Sequence, residues 1–404
     1  MQENYSDRIS QIWGQRTPYY GEWPERVDEY VTAEPDHWVQ SACVLCSNGC
    51  GLDIGVKDGK IVGVRGRATD RINHGRLGPK GLHGWMANNS TDRLTTPLIR
   101  KDGKLEPATW DEAMQLIVEK SRELVRQYTS GSIGFYTSGQ LFLEEYYTLA
   151  LIAKAGLGTN HTDGNTRLCT STSSWALKLS FGTDGQPASY TDIDTTDALF
   201  MVGHNMAETQ TVLWSRVLDR LQGPNRPRLV VVDPRLTLTA QQADVHLMNR
   251  VGTNVPVLNG ILNLIIEAGH IDSEYLNAHT VGFAELQKTV SRWTPELVER
   301  VSSVPAEKLR AAAEILGGSP TLVSTALQGV FQSMQATAAA VQINNLHLIR
   351  GLLGKPGCGV FQMNGQPTAQ NTRECGANGD LPAMRNWQNE EHVKELAQIW
   401  NVLP

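Results

Sequence analysis

The chain has 404 residues, a formal net charge of −6 and a hydrophobic fraction of 40%. This composition is typical of folded globular domains, and the length corresponds to two to four of them at roughly 100–200 residues each. Acidic and basic residues are interspersed without a basic block, which argues against nucleic acid or an anionic membrane surface as a partner. The longest apolar stretch, 255–268, is interrupted by polar residues and too short to span a bilayer.

The first hundred residues are predicted to form an arm and a small β-rich domain. Residues 1–36 are polar, rich in proline and tyrosine, and show little periodicity, so they are interpreted as an arm lying over the rest of the chain. Residues 1–18 lack the apolar core of a signal peptide and a twin-arginine pair, so the expected location is the cytoplasm. Over 37–96 the pattern becomes β, and Asp58-Gly59 predicts a tight hairpin.

From Thr109 onward the sequence predicts alternating helices and strands. Thr109 and Glu112 form a capping box in front of a helical apolar stripe. Strands and helices then alternate, which favours an α/β fold of doubly wound parallel sheets with ligands bound beyond the carboxyl ends of the strands. Strands are predicted at 133–136, 198–202, 229–232 and 321–324, and helices between them include 255–268 and 306–316.

Three of the six cysteines lie within eight residues, as Cys43-x2-Cys46-x3-Cys50. In a cytoplasmic chain cysteines more often serve metals or catalysis than disulfides. Three thiolates on one glycine-rich loop can hold one corner of an iron–sulfur cube. Zinc sites usually use a second pair of ligands, and none is near; radical-SAM enzymes use the two spacings in the opposite order. The remaining alternative is three unrelated structural cysteines.

This cysteine loop resembles that of the molybdopterin oxidoreductases of the dimethyl-sulfoxide-reductase superfamily, which includes formate dehydrogenases and the periplasmic and assimilatory nitrate reductases. The residues 73–81 and 92–98 resemble the next segments of that cluster domain, and the resemblance extends from about His37 to the C-terminus. Gly78 stands where the family usually has its fourth cluster cysteine. The fourth iron is then bound by solvent or another residue, or is absent, so 4Fe-4S and 3Fe-4S both stay open. Lys80 is implied to lie on the electron path between cluster and pterin.

The resemblance further implies that the strand-end loops bind molybdenum bis(molybdopterin guanine dinucleotide). Backbone N–H groups and helix starts receive phosphates, and short polar side chains bind ribose and base. A plain turn is the alternative for any single loop. Many relatives have aspartate where this chain has Asn254. Besides Lys80, the residues assigned to the cofactor are Gln140, Asn165, Gly203, Asn205, Glu208, Asp233, Arg235, Thr237, Gly252, Asn254, Gly329 and Gln332.

Cys169 is the candidate molybdenum ligand. A lone cysteine is more often a small buried hydrophobe, and Cys358 and Cys375 are interpreted in that way. Cys169, however, falls where nitrate reductases and formate dehydrogenases place the thiolate or selenolate that binds molybdenum, and soft thiolates suit such a metal. Arg167 is predicted to keep the thiolate deprotonated and to attract an anion, and Arg373 is assigned to a substrate funnel.

Nitrate is the favoured substrate because Thr170 stands where formate dehydrogenases typically have histidine. The first interpretation is therefore a nitrate reductase-like chain of nitrate assimilation, which reduces a small anion with electrons that an electron-donor protein or domain delivers through the cluster. One alternative is a formate dehydrogenase-like enzyme. The other is a metal-poor electron-transfer subunit, like the related large subunit of respiratory NADH dehydrogenase, which the presence of Cys169 and the cofactor loops argues against.

The resemblance also predicts the domain organisation. An incomplete first α/β molybdopterin domain is expected from 97–160 plus 318–404, with 161–317 inserted as a second, Rossmann-like dinucleotide domain. Family members continue for several hundred residues, whereas this chain stops in a helical pattern that begins near residue 390. We therefore expect a C-terminally truncated piece that is poorly soluble and inactive by itself, since apolar surface and cofactor contacts would be unmet.

Overall fold

The computed structural model describes residues 15–404, so the first part of the predicted arm lies outside the described residues. The rest of the arm packs closely against the chain. Tyr19 and Trp23 are buried, and they donate hydrogen bonds to Asp194 at 2.7 Å and to Asp219 at 2.9 Å. The Arg76 guanidinium lies 3.9 Å from the centre of the Trp23 ring, within cation–π distance.

A four-stranded antiparallel sheet follows, in the order β1-β4-β3-β2. The predicted hairpin is confirmed, because Asp58 and Gly59 connect β3 and β4 with φ values of 50° and 71°, as a two-residue turn of this kind requires. The cysteine loop connects β2 to β3, and Cys43 N donates to Cys50 O at 2.9 Å, which closes it. The strands are β1 (Glu29–Val31), β2 (His37–Ala42), β3 (Gly51–Lys57) and β4 (Lys60–Gly66).

The chain then forms two small two-stranded units. An antiparallel hairpin consists of β5 (Leu98–Lys101) and β6 (Lys104–Pro107). After the long helix Trp110–Tyr128, which begins with the predicted capping box, β7 (Phe135–Thr137) pairs in parallel with β8 (Thr162–Gly164).

The main core surrounds a five-stranded parallel sheet with the order β11-β10-β9-β12-β13. Its central strands β9 and β12 are wholly buried, and β9 is entirely apolar, as expected when helices cover both faces. The predicted α/β class, with a small β-rich region before a parallel sheet, is confirmed. The strands are β9 (Ala198–Val202), β10 (Arg228–Val232), β11 (Val245–Leu247), β12 (Leu322–Ala326) and β13 (Gly359–Gln362). The longest helices around it are Thr166–Phe181, Thr211–Leu221, Asn254–Glu267, Ala306–Gly318 and Ala336–Ile349.

The strand pairing differs from the expected domain division at one boundary. Residues 318–404 were expected to join 97–160, yet β12 and β13 pair within the sheet that β9, β10 and β11 form. Backbone hydrogen bonds therefore join 318–362 to the segment expected to be an insertion. Residues beyond 362 do return to the first segment, since Thr368 Oγ1 donates to Gly139 O at 2.9 Å and to Leu141 O at 2.8 Å.

The last helix, Glu390–Trp400, ends within the chain. Asn401 adopts a left-handed conformation with φ of 53°, which terminates it, so the expectation that the chain stops inside a helical pattern was wrong. No helix among residues 15–404 has the length and apolarity needed to cross a bilayer. The shorter helical segments are Pro79–His83, Gly84–Asn89, Ser130–Ser132, Leu143–Leu151, Ile152–Leu157, Asp192–Thr195, Met206–Thr209, Ala240–Gln242, Ser273–His279, Phe283–Val290, Pro295–Ser302, Gln328–Phe331 and Asn371–Glu374.

Candidate functional site

The carboxyl ends of β9 and β12 meet at two glycines. Gly329 N donates to Gly203 O at 3.0 Å, and a Cβ on Gly203 would lie 2.6 Å from the Gly329 carbonyl carbon. Only glycine allows this approach, and Gly203 also has a positive φ of 55°. Asn254 Nδ2 donates to Gly329 O at 3.0 Å, so the structure brings together three residues that the sequence assigned to the cofactor.

In the loops that follow β9 and β10, polar side chains form hydrogen bonds within or between these loops. Asn205 Oδ1 accepts from Thr239 Oγ1 at 2.9 Å. Asp233 Oδ1 accepts from Arg235 N at 2.9 Å, and Thr237 Oγ1 accepts from Ala240 N at 3.1 Å. These bonds fix the backbone of the loops. Three residues of the predicted set stay exposed at the sheet edge, namely Arg235, Gly252 and Gln332.

Cys169 lies in the first turn of the helix Thr166–Phe181, half-buried at this edge. Gln328, which follows β12, donates its Nε2 to Cys169 Sγ at 2.8 Å. At the start of the same helix, Asn165 Oδ1 is buried and has no hydrogen-bond partner within the part of the chain that the structure describes. A buried orphan acceptor beside a thiol is costly unless something binds it. The site therefore fits a cofactor that carries hydrogen-bond donors and a thiophilic metal.

Arg167 points away from Cys169. Its Nε donates to Asp163 Oδ2 at 2.9 Å and its Nη2 to Asn378 O at 2.7 Å. Residues two apart on a helix do not face each other, which explains why the guanidinium does not reach the thiol. In this structure Arg167 therefore does not perform the predicted activation of the thiolate, and its action on an anion stays a prediction.

Thr170 follows Cys169 in the helix, and Arg373 contacts Thr170. Arg373 Nη1 donates to Thr170 Oγ1 at 3.2 Å, and Thr170 Oγ1 donates to Thr166 O at 3.2 Å. Arg373 is also paired with Asp184 at 2.6 Å, and both side chains are buried. Because Asp184 balances its charge, Arg373 acts first as a structural partner of the helix that carries Cys169.

Cys43, Cys46 and Cys50 surround a cavity of about 230 Å³. Burial raises the pKa of the Cys43 and Cys50 thiols, so thiolates here need a positive partner. Among residues 15–404, no group of three or more His, Cys, Asp or Glu side chains is found that could hold a metal ion. The assignment of a cluster to this cavity therefore depends on the spacing of the three cysteines.

Two predicted cofactor residues belong to this cysteine cavity. Lys80 lines it, and its ammonium group opposes the rise in the pKa of Cys43. Glu208 lines the same cavity, although the sequence assigned it to the dinucleotide. The reason is that the short helix Met206–Thr209, after β9, directs Glu208 toward the cysteine loop.

The cysteine loop is docked on the strand-end loops by residues that the sequence did not identify. Ser47 N donates to Gly365 O at 3.2 Å, and Gln210 Nε2 donates to Ser47 Oγ at 3.2 Å. Asn48 Oδ1 accepts from Leu213 N at 2.8 Å. No local spacing signals these contacts, because each joins residues more than 150 positions apart.

Gln140 also joins the two sites. Its Nε2 donates to Val44 O at 3.1 Å, and its Oε1 accepts from Gln366 at 3.2 Å. The cysteine loop is therefore joined through Gln140 to the loop that contains Gln366.

The family models of the molybdopterin oxidoreductases match nearly all of this architecture. The molybdopterin oxidoreductase model matches residues 93–403, and the molybdopterin oxidoreductase Fe4S4 domain model matches residues 36–90. The chain belongs to the molybdopterin oxidoreductase family. This membership supports a molybdenum–pterin cofactor and a 4Fe-4S cluster, and the edge and cavity described above supply residues that suit both.

Several curated relatives are similar over most of the chain. A nitrate reductase of Synechocystis is 34% identical over 90% of this chain, and a periplasmic nitrate reductase of Desulfovibrio desulfuricans is 35% identical over 91%. The alpha subunit of F420-dependent formate dehydrogenase 1 of Methanococcus maripaludis is 33% identical over 90%. The chain spans about half the length of these relatives, at 52%, 50% and 53%.

Among solved structures, acetylene hydratase from Pelobacter acetylenicus has a TM-score of 0.67 at 24% identity, over 78% of this chain and 44% of its own. This likeness supports the fold alone.

Proposed function

We propose that this protein reduces nitrate to nitrite, with molybdenum held by Cys169 and bis(molybdopterin guanine dinucleotide), and with electrons delivered through a cluster on Cys43, Cys46 and Cys50. One observation carries the proposal. A thiol lies at the carboxyl edge of the parallel sheet, beside a buried orphan acceptor on Asn165, and the cysteine cavity is docked against that same edge. A soft thiolate suits molybdenum, and ligands of such sheets bind at this edge.

The chain's own residues position the reaction. When bound, the molybdenum–pterin group supplies the oxygen-atom transfer. The strand-end loops at Gly203 and Gly329 offer backbone at close range, and Arg235 offers an exposed cation that suits a phosphate. Gln328 holds the Cys169 thiol in place through its amide. Lys80, on the wall of the cysteine cavity, offsets negative charge where electrons arrive.

Thr170 favours nitrate over formate. Oxidation of formate releases a proton, and a histidine next to the ligand is suited to accept it near neutral pH. Thr170 has a hydroxyl that is already bonded to Thr166 O and Arg373, so it cannot serve as such a base. Reduction of nitrate needs no base at this position. The relatives include both activities at nearly equal identity, so overall similarity does not choose between them.

The test uses the full-length protein, purified anaerobically with its cofactors, because the 404-residue piece is expected to be inactive by itself. With reduced viologen and nitrate we expect nitrite, and Cys169→Ser should lose most turnover while iron and sulfide stay unchanged. Cys358→Ser is the matched control, since Cys358 is a buried cysteine at the amino end of β13, opposite the carboxyl edge, and it should keep turnover. Formate oxidation without nitrate reduction would contradict the choice of substrate. A molybdenum-free protein would favour the electron-transfer subunit instead.

The cluster is tested separately. Cys46→Ala should lower both iron and acid-labile sulfide, because one of the three thiolates is removed. Unchanged iron and sulfide would refute the assignment of these cysteines, whatever the activity.

We further propose the guanine dinucleotide form of the cofactor and a separate electron-donor protein or domain. We also propose a cytoplasmic location and a role in nitrate assimilation; one similar relative is periplasmic.

A further inference from the structure

Gly78 forms part of the wall of the cysteine cavity, directly before the helix Pro79–His83. A Cβ added to Gly78 would lie 2.2 Å from Thr211 Oγ1 and 3.5 Å from Thr211 Cβ. The first distance is far shorter than a van der Waals contact, whereas the second is ordinary. The Thr211 hydroxyl therefore occupies the space into which a side chain at position 78 would extend.

The hydroxyl of Thr211 is available to a ligand. Thr211 begins the helix Thr211–Leu221 and lines the cavity together with the three cysteines. No hydrogen bond of its hydroxyl is found among residues 15–404. A threonine at a helix start commonly uses its hydroxyl to cap the helix, but the cap position here belongs to Gln210, which makes no side-chain cap bond. The Thr211 hydroxyl faces Gly78 instead.

The other oxygen donors of the cavity are less suitable. Thr209 Oγ1 already donates to Asn205 O at 3.0 Å and contacts Gln210 Oε1. The Glu208 side chain is exposed, so water competes for its carboxylate. Thr211 alone among them has its oxygen at the position of the missing side chain.

We propose that Thr211 Oγ1 is the fourth protein ligand of the cluster. It binds the iron that faces Gly78, its hydroxyl proton passes to solvent, and the cluster is a 4Fe-4S cube with three thiolates and one oxygen. This inference rests on the proposed cluster at Cys43, Cys46 and Cys50. Iron in these clusters prefers soft sulfur ligands, so the oxygen-bound iron is held less firmly than the other three.

The neighbourhood explains why a protein ligand matters at this corner. A second cavity, of about 520 Å³, shares Leu77, Gly78, Pro79, Thr211 and Val212 with the cysteine cavity. Gly78 and Thr211 thus stand in the wall between the two. Without the Thr211 hydroxyl, the iron next to Gly78 would face the second cavity without a protein ligand, because Gly78 has no side chain.

The test counts iron in anaerobically purified protein and records Mössbauer and electron paramagnetic resonance spectra. We expect one spectroscopically distinct iron in the wild type. Thr211→Val keeps the side-chain volume but removes the oxygen, and should lose about one iron per cluster and give a three-iron signal. Thr211→Ser retains the oxygen and should restore the wild-type spectrum. In Gly78→Cys combined with Thr211→Ala, which clears space for the sulfur, all four irons should resist mild oxidation.

Each contrary outcome has a distinct meaning. A three-iron cluster in the wild type, or Thr211→Val with unchanged iron and spectra, overturns the inference. If Glu208→Gln loses about one iron per cluster and Thr211→Val loses none, the fourth ligand is Glu208, which also overturns the inference. If Cys46→Ala loses no iron, the cluster proposal itself has failed. Thermal unfolding of Thr211→Val and Thr211→Ser, measured side by side, separates loss of a ligand from loss of the fold.

Discussion

The five-stranded sheet and the segment 98–137 show how differently one chain can stabilise its helices. The strands β9 and β12 are wholly buried, and helices that contribute many buried apolar side chains cover them. The helix Trp110–Tyr128 has no buried residue, although it is the longest in the described part of the chain. Most of its apolar side chains, among them Trp110 and Ile117, are exposed.

The two regions therefore depend on different interactions. In the sheet, the removal of apolar surface from water dominates the free energy of folding. The helix Trp110–Tyr128 depends on local terms, namely its capping box, the Lys120–Glu123 ion pair and the Gln115–Glu119 hydrogen bond. Such local terms are weak compared with the burial of an apolar side chain. A helix held in this way is expected to open locally well before the sheet unfolds.

The largest contrast is expected from truncating one apolar side chain in each region. Phe200→Ala, in β9, should lower the free energy of unfolding by about 3–5 kcal/mol, since it leaves a cavity in a packed core. Ile117→Ala, in the exposed helix, should change it by less than about 0.5 kcal/mol. Urea denaturation followed by circular dichroism measures both. Similar losses in the two variants would show that Ile117 is buried in solution.

A second difference concerns acid. Burial lowers the pKa of His204 to about 4 and that of His347 to about 3. His204 lies between Thr325 Oγ1 at 2.8 Å and Gln210 Oε1 at 2.9 Å, and His347 contacts Ser324 Oγ at 2.7 Å. Both histidines therefore stay neutral in the folded sheet region at pH 7. The exposed helix contains no histidine.

This difference predicts how stability depends on pH. Below the unfolded-state pKa of about 6.5, the unfolded chain binds protons that the folded chain does not, so the stability present above pH 6.5 falls as the pH drops toward 4. Each histidine should lower the free energy of unfolding by about 1.4 kcal/mol per pH unit, which amounts to about 2 kcal/mol between pH 6.5 and pH 5. Urea denaturation at pH 7, 6 and 5 measures the slope. His347→Gln should reduce it, while the exposed control His279→Gln should not; equal slopes in all three proteins would refute the assignment.

Whether the sequence predicts a feature depends on how far apart along the chain the interacting residues lie. The strand at 198–202 was predicted with its observed bounds, because an apolar run between turn signals is a local property. The cysteine triplet was identified from its spacing for the same reason. The contact between Ser47 and Gln210, and that between Gly78 and Thr211, join residues more than 130 positions apart, so no local pattern indicates them.

Side-chain direction is the other part that the sequence did not predict. Arg167 and Cys169 are two residues apart, which suggested that they act together. The helix that starts at Thr166 turns them to different faces. The motif identified the thiol, but only the helix geometry showed that Gln328, rather than Arg167, contacts it.

The smallest effect should come from the capping box. Thr109 Oγ1 accepts from Glu112 N at 3.2 Å, and Glu112 Oε2 accepts from Thr109 N at 2.7 Å. Thr109→Ala removes the first bond and should cost about 1 kcal/mol. Since no residue of this helix is buried, we expect that loss to appear locally, as roughly fivefold faster hydrogen exchange over residues 110–128 with no change in β9.

A matched cap sits on a packed helix. Thr294 Oγ1 accepts from Leu297 N at 3.3 Å and begins the helix Pro295–Ser302, which buries Val298 and Ser302. Thr294→Ala loses the same kind of bond, but its helix is held by burial, so its amides should exchange mainly with global unfolding and change little under native conditions. Equal local acceleration in both variants would mean that burial does not protect Pro295–Ser302, and the contrast between the two regions would fail at its most sensitive point.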